Sequence, residues 1–361
     1  MATDLLSAET ATTVRPVARP AGSLSQKSGV SVDILPTEAV TKTEVGSNHG
    51  QGQGGSASSA ETIVAVQGRS AFSVLLSDYL QLTKPRIVVM ILVTTCATAM
   101  IGAAGFVAAG SLFWLLLGTA AIAGSAGAGN QIWERVIDSR MTRTANRPIS
   151  SGRMSPMPAI IFAATLAGLG TAILATKFGT APAAVGVATW LLYVIVYTPM
   201  KVRTAWNTTV GAVAGAIPVL IGYTATGGHL TDGTGWLLVG VLVAWQYPHF
   251  MSIAWMYRRQ YREAGFKMTT TEEPTGRSAG WQSMVGSAVL IGLGVTLCWL
   301  PAGLIGAIVG SIAVFAAAWP MLRASARFAR SPDDATARAL LRSSLLVLPA
   351  VLAVVTLRLF W

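Results

Sequence analysis

Between residues 86 and 360 the sequence is divided into apolar runs of about twenty residues separated by polar connectors. At 1.5 Å rise per residue, a run of about that length crosses a hydrocarbon core as a helix. In lipid the backbone must satisfy its own hydrogen bonds. The predicted spans are 86–106, 111–134, 157–177, 180–198, 208–226, 235–257, 279–299, 302–322 and 341–360. The fold class is therefore an all-α polytopic membrane protein with nine transmembrane helices. Composition agrees: 11% of residues are charged and 52% hydrophobic, against about a quarter charged in soluble domains. Mean hydropathy is +0.56.

The formal net charge of +11 would suit a nucleic-acid partner, but the basic residues sit in the short connectors, which reads as topology and excludes nucleic acid. An inside N-terminus places Lys84 and Arg86, the run Arg135 to Arg153, Lys201 and Arg203, Arg258 to Arg277, and Arg323 to Arg342 on the cytoplasmic side. Only Lys177 and Arg358 fall opposite. Cys96 and Cys298 lie in separate apolar runs without metal-type spacing, so no disulfide or zinc framework is expected.

Residues 1–72 are rich in Ser, Thr, Ala and Gly and lack apolar periodicity, so they read as a disordered cytoplasmic tail preceding a transmembrane domain at 73–361. No apolar core of a cleaved signal is present. Acids such as Asp4, Glu9 and Asp33 argue against a transit peptide.

The second span ends in NQIWERVIDSRMTRTANRP, residues 130–148. Asn130, Glu134 and Asp138 are spaced by four, so on a continuing helix they form one stripe. A carboxylate at membrane depth costs roughly 2.5–3.5 kcal/mol on insertion scales and marks function by default. The surrounding Arg135, Arg140, Arg143 and Arg147 complete a mixture suited to a metal-bound polyphosphate. Carboxylates repel phosphate, but Mg²⁺ between them makes a bridge, and arginine forks grip the outer oxygens. The alternative is a charged helix end whose acids only pair with these arginines. Pro148 is expected to stop a short helical extension.

Asn130, Glu134, Asp138, Met141, Arg143, Thr144, Arg147 and Pro148 resemble the first motif of the UbiA-type intramembrane prenyltransferases. LTKPRI at 82–87, YTPMK at 197–201, NTTVGAVAGAIP at 207–218, WQYPHF at 245–250 and the Tyr-x-x-Ala-Gly element at 261–265 resemble successive landmarks of the haem-modifying branch. The resemblance covers about residues 78–360. It implies nine helices around a central intramembrane cavity, in a bacterial inner membrane with the active-site loops cytoplasmic. It also implies Mg²⁺ held by Asn130, Glu134 and Asp138, and transfer of the farnesyl group of farnesyl diphosphate to the vinyl group of haem b, with water added, giving haem O. Membrane lipid and a downstream haem A synthase or terminal-oxidase assembly are the implied partners.

By the same resemblance Lys201 contacts the diphosphate and Asn207 lines the cavity; both also suit ordinary interface residues. After the sixth span, YRRQYREAGFKM supplies Tyr257, Arg259, Gln260 and Glu263 as substrate-binding candidates. Gln260 stands where relatives carry an acid, and Glu263, about one turn on, is a candidate substitute or a partner of Arg259 and Arg262. His249, within the sixth span, is either a haem contact or a packing histidine. Tyr197, Trp245 and Tyr257 are candidates to face an allylic cation. Two other readings remain open at this point. One is an aromatic prenyltransferase of a quinone pathway, and the other a non-catalytic transporter or assembly factor on the same scaffold.

Overall fold

The computed structural model describes residues 70–300 and 303–357; the tail up to residue 69 and Arg358 lie outside them. Nine helices among the described residues are long and apolar enough to cross a membrane: α2 (Pro85–Gly102), α3 (Ala109–Asp138), α4 (Pro156–Phe178), α5 (Thr180–Met200), α6 (Asn207–Ala225), α7 (Gly233–Met256), α10 (Arg277–Trp299), α11 (Leu304–Arg330) and α12 (Asp334–Leu357). The chain is an integral membrane protein. Three short helices, α1 (Ala71–Leu82), α8 (Arg258–Glu263) and α9 (Thr269–Glu272), lie in the polar connectors at one end of the bundle.

Consecutive spans pack side by side, and the ring closes where α12 meets α2 and α7; α2 also packs along the second half of α6. Alternating passage brings α1, the 139–155 turns, residues 201–206, α8 with α9, and the turn before α12 to the same end. The basic connectors thus converge on one face of the bundle.

Small residues let these backbones approach without a hydrophobic drive between them. A Cβ on Gly170 of α4 would lie 2.8 Å from the Gly118 carbonyl of α3, and one on Gly222 of α6 would lie 2.3 Å from the Thr95 carbonyl of α2. Side chains larger than hydrogen would push these pairs apart. Pro218 separates the two halves of α6, Asn207–Ala216 and Val219–Ala225, because it cannot donate to the preceding turn. Pro248 is carried inside α7 without a break.

The helix α1 lies in a stretch placed mostly in the transmembrane domain by its sequence but not assigned to an element. It exposes Phe72, Leu75, Leu76 and Leu80. Its polar side holds Asp78, which accepts from Arg153 at 2.9 Å and ties α1 to the connector after α3. That connector is a series of turns from Ser139, so the helix ends well before Pro148 and the expected extension does not form. Thr144 Oγ1 instead donates to the Asp138 carbonyl at 2.9 Å, turning the chain back over the helix end.

Candidate active site

The bundle encloses a cavity of about 710 Å³ reaching from the basic end into the apolar interior, a size ordinary for a small-molecule site. Its deeper wall is apolar, with Ile91 of α2, Ile122 of α3, Leu242 of α7 and Leu348 of α12. Its mouth is polar. The spacing of four on α3 puts Asn130, Glu134 and Asp138 on the cavity side, and all three are buried.

Each member of the stripe meets a cation from a different part of the chain. Lys84, between α1 and α2, donates to Asn130 Oδ1. Lys201, just past α5, donates to Glu134 Oε1 at 2.7 Å. Arg147 reaches Asp138 Oδ2 at 2.5 Å. Asn130 Nδ2 donates in turn to Thr198 Oγ1 at 3.1 Å, and Thr198 Oγ1 to the Tyr193 carbonyl at 2.8 Å. The Tyr193 carbonyl belongs to a wide π-helical stretch of α5, Leu192–Tyr197. The stretch leaves Tyr193 and Tyr197 on the cavity wall, with Lys201 Nζ 4.6 Å from the Tyr197 ring centroid.

Arg147 and Lys201 therefore balance the two carboxylates, and Lys84 adds an amine with no acid of its own. Burial opposes the charge on Lys201, but the Glu134 carboxylate, with Tyr197 and Tyr193, outweighs it and holds the ammonium above its ordinary range. Lys84 lacks such a direct acid partner. Burial, then the nearby Arg147 and Lys201, bring its amine down to about 7. An arriving polyanion meets an amine that is short of a counter-ion.

Two acceptor atoms at the mouth have no partner among the described residues: Asp138 Oδ1 and Asn207 Oδ1, both buried. Asn207 Nδ2 is committed to the Thr204 and Lys267 carbonyls, each at 2.6 Å. Stranded acceptors are costly unless a ligand completes them.

Residues 91–346 match the UbiA prenyltransferase family. The chain belongs to that family. It is 59% identical to the protoheme IX farnesyltransferase of Rhodopirellula baltica over 77% of this chain and 99% of that relative. It is 41% identical to the enzyme of the same name from Salinibacter ruber, over 60% of this chain and 76% of that one. Among solved structures, a UbiA homolog from Archaeoglobus fulgidus bound to GPP and Mg²⁺ aligns with TM-score 0.59 and 17% identity, covering 77% of this chain and 99% of that one. A structure described for digeranylgeranylglyceryl phosphate synthase aligns with TM-score 0.63 and 15% identity, covering 79% and 98%. At such identities the likeness is one of fold.

The structure differs from the sequence expectations most in the connector after α7. Tyr257 ends α7 with φ −105° and ψ 14°, and α8 starts afresh at Arg258. Arg259 and Glu263 are exposed, and neither they nor Gln260 line the cavity. Glu263 therefore does not stand in for the acid missing at Gln260. Arg258 is paired with Asp334 at 2.8 Å. Tyr261 and Phe266 line the wall instead. Tyr257 lies outside the lining and stacks under Arg143, 5.1 Å from its ring centroid. Of the aromatic candidates, Tyr197 and Trp245 line the cavity, as do Arg143 and His249.

The main addition is Lys84. The sequence displayed it in LTKPRI, yet a lysine at a membrane boundary is already accounted for by the positive-inside bias. Nothing in its spacing links it to a stripe 46 residues on.

Proposed function

We propose that this protein transfers the farnesyl group of farnesyl diphosphate to the vinyl group of protohaem IX, giving haem O and diphosphate. The observation that carries the reading is the cationic ring around Asn130, Glu134 and Asp138 at the mouth of an apolar cavity inside a membrane-spanning bundle. Similarity to farnesyltransferases of that name over nearly their full length supports the acceptor.

The chemistry separates along the cavity. The diphosphate rests against Lys84, Lys201, Arg143 and Arg147, whose charge favours the negative charge that builds as the C1–O bond breaks. The prenyl chain lies along the apolar wall, where little water competes for the allylic cation, and the faces of Tyr193 and Tyr197 offer π density. The terminal vinyl carbon attacks C1. Water then adds to the adjoining carbon and releases a proton, so the bond lost to diphosphate is replaced by a carbon–carbon bond and a hydroxyl.

Mg²⁺ fits the donor set. Asp138 Oδ1 is unpartnered, only one oxygen of Glu134 is taken by Lys201, and one or two carboxylates plus substrate phosphates suffice for this ion. Asn130 would join after releasing Lys84 to the diphosphate. When bound, the ion supplies charge neutralisation on the leaving group. With so few protein donors, the substrate's own oxygens would complete the set.

The basic residues gathered at the mouth's end of the bundle support a mouth on the cytoplasmic side of a bacterial inner membrane. A haem A synthase or oxidase assembly would take the product there. Membranes containing the chain, given farnesyl diphosphate with either haem or a hydroxybenzoate, test the reading. It expects haem O from the first mixture. Prenylated aromatic acid without haem O would refute it.

A further inference from the structure

His249 lies on the cavity wall seven residues before Met256, the cytoplasmic end of α7, or about 10 Å below it along the axis. Its ring is held on two sides. It stacks on Trp245 at 4.9 Å between centroids and 20° between planes, and Nδ1 sits 3.0 Å from Ser344 Oγ of α12. Trp245 Nε1 donates to the Ser344 carbonyl at 2.7 Å, so both rings are anchored on the same serine.

The direction of the His249–Ser344 bond follows from the hydroxyl. Ser344 Oγ has one hydrogen, and it is spent on the Leu341 carbonyl at 2.7 Å. Ser344 is fully buried, so no bulk water offers an exchange. With that hydrogen on the Leu341 carbonyl, the serine oxygen is left to accept across 3.0 Å, which assigns the proton to Nδ1 of His249. Neutral imidazole then has its lone pair on Nε2, which has no partner among the described residues and belongs to a ring on the cavity wall.

We propose that His249 Nε2 is the axial ligand of the iron in the haem substrate, with Ser344 as the residue that fixes its tautomer and Trp245 the one that fixes its plane. A neutral histidine whose other nitrogen donates to a fixed oxygen is the usual iron-binding arrangement. Ligation at this depth sets the iron below the diphosphate ring, so the porphyrin edge, rather than its centre, faces C1 of the prenyl chain. The metal becomes the handle by which the site recognises and orients its acceptor.

The inference rests on haem being the acceptor, and the test separates the two claims. The full chain in detergent is titrated with haem and, separately, with iron-free protoporphyrin IX, following the Soret and visible bands. Farnesyl diphosphate binding is measured alongside as a check on folding. Wild type should show a histidine-ligated iron spectrum and prefer haem to the iron-free ring. His249→Ala should lose that spectrum and regain it with added imidazole. Ser344→Ala should weaken haem binding about 10-fold or more, while Ser344→Thr, which keeps the acceptor oxygen, should restore it. A His249→Ala spectrum and affinity equal to wild type would overturn the proposal, as would equal affinity for haem and the iron-free ring. In either case haem O formation by wild type would leave the acceptor reading standing. Absence of both porphyrin binding and haem O would overturn both.

Discussion

Lys84 occupies a left-handed conformation, φ 55° and ψ 61°, immediately before Pro85. For a residue other than glycine this costs of order 1–3 kcal/mol and persists only where surroundings enforce it. Gln131 Nε2 enforces it by donating to the Gln81 and Leu82 carbonyls at 2.9 and 3.1 Å. Gly127 does so by leaving room for the Thr83 carbonyl, which a Cβ would meet at 2.9 Å. The strain aims the ammonium at Asn130, in the proposed diphosphate site. Lys84→Met should therefore raise KM for farnesyl diphosphate about 10–100-fold, the loss of one charge-assisted hydrogen bond, with the protein folded and in the membrane. An unchanged KM would remove Lys84 from the site. The two acids make a sharper contrast. Asp138→Ala should lower kcat by about 10² or more, whereas Glu263→Ala, at an exposed position, should leave steady-state kinetics unchanged. The stripe on α3 was legible in the sequence because one regular helix carries it and the spacing of four needs no tertiary knowledge. Lys84 and the outward placement of Glu263 were not, because one depends on a strained turn and the other on which face of a short separate helix, Arg258–Glu263, meets the cavity.

The helices divide into those that carry chemistry and those that close the ring. In α3 the run GSAGAGN is buried on all sides, so glycine and alanine there replace the usual large core residues. The contact with α4 tests this packing with a matched pair. Gly170→Ala places a methyl against Ile122 and the Gly118 carbonyl, and should cost about 1–3 kcal/mol, read as a lower melting temperature in detergent. Gly168→Ala, with nothing within 4 Å of its new Cβ, should be neutral or slightly stabilising, since alanine is the better helix former. A similar effect of both would show that close approach is not what these glycines provide. The π-helical stretch of α5 was invisible to sequence reading: YTPMK identifies the neighbourhood, but an extra residue in a turn leaves the apolar pattern of a membrane span unchanged.

At the scale of the whole molecule, all nine predicted spans correspond to helices among the described residues, with most ends within four residues; the exceptions are α11, which runs on to Arg330, and α12, which starts at Asp334. A hydrophobic run long enough to cross lipid is a coarse signal that survives local error. α1 escaped because its apolar residues are too few to span and are interrupted by Ser77 and Asp78. Sidedness has its own test. In a cysteine-free background, Leu230→Cys between α6 and α7 should react with a membrane-impermeant maleimide from outside intact cells, and Arg140→Cys should react only after permeabilisation. The reverse pattern would invert the proposed orientation.

The most direct test is chromatography of haems extracted from a host that makes no haem O of its own, after expression of this chain. The account predicts a new haem O peak with the wild-type chain, lost with Asp138→Ala although that variant reaches the membrane. No haem O from a well-expressed wild-type chain, or equal amounts from the two, would contradict it.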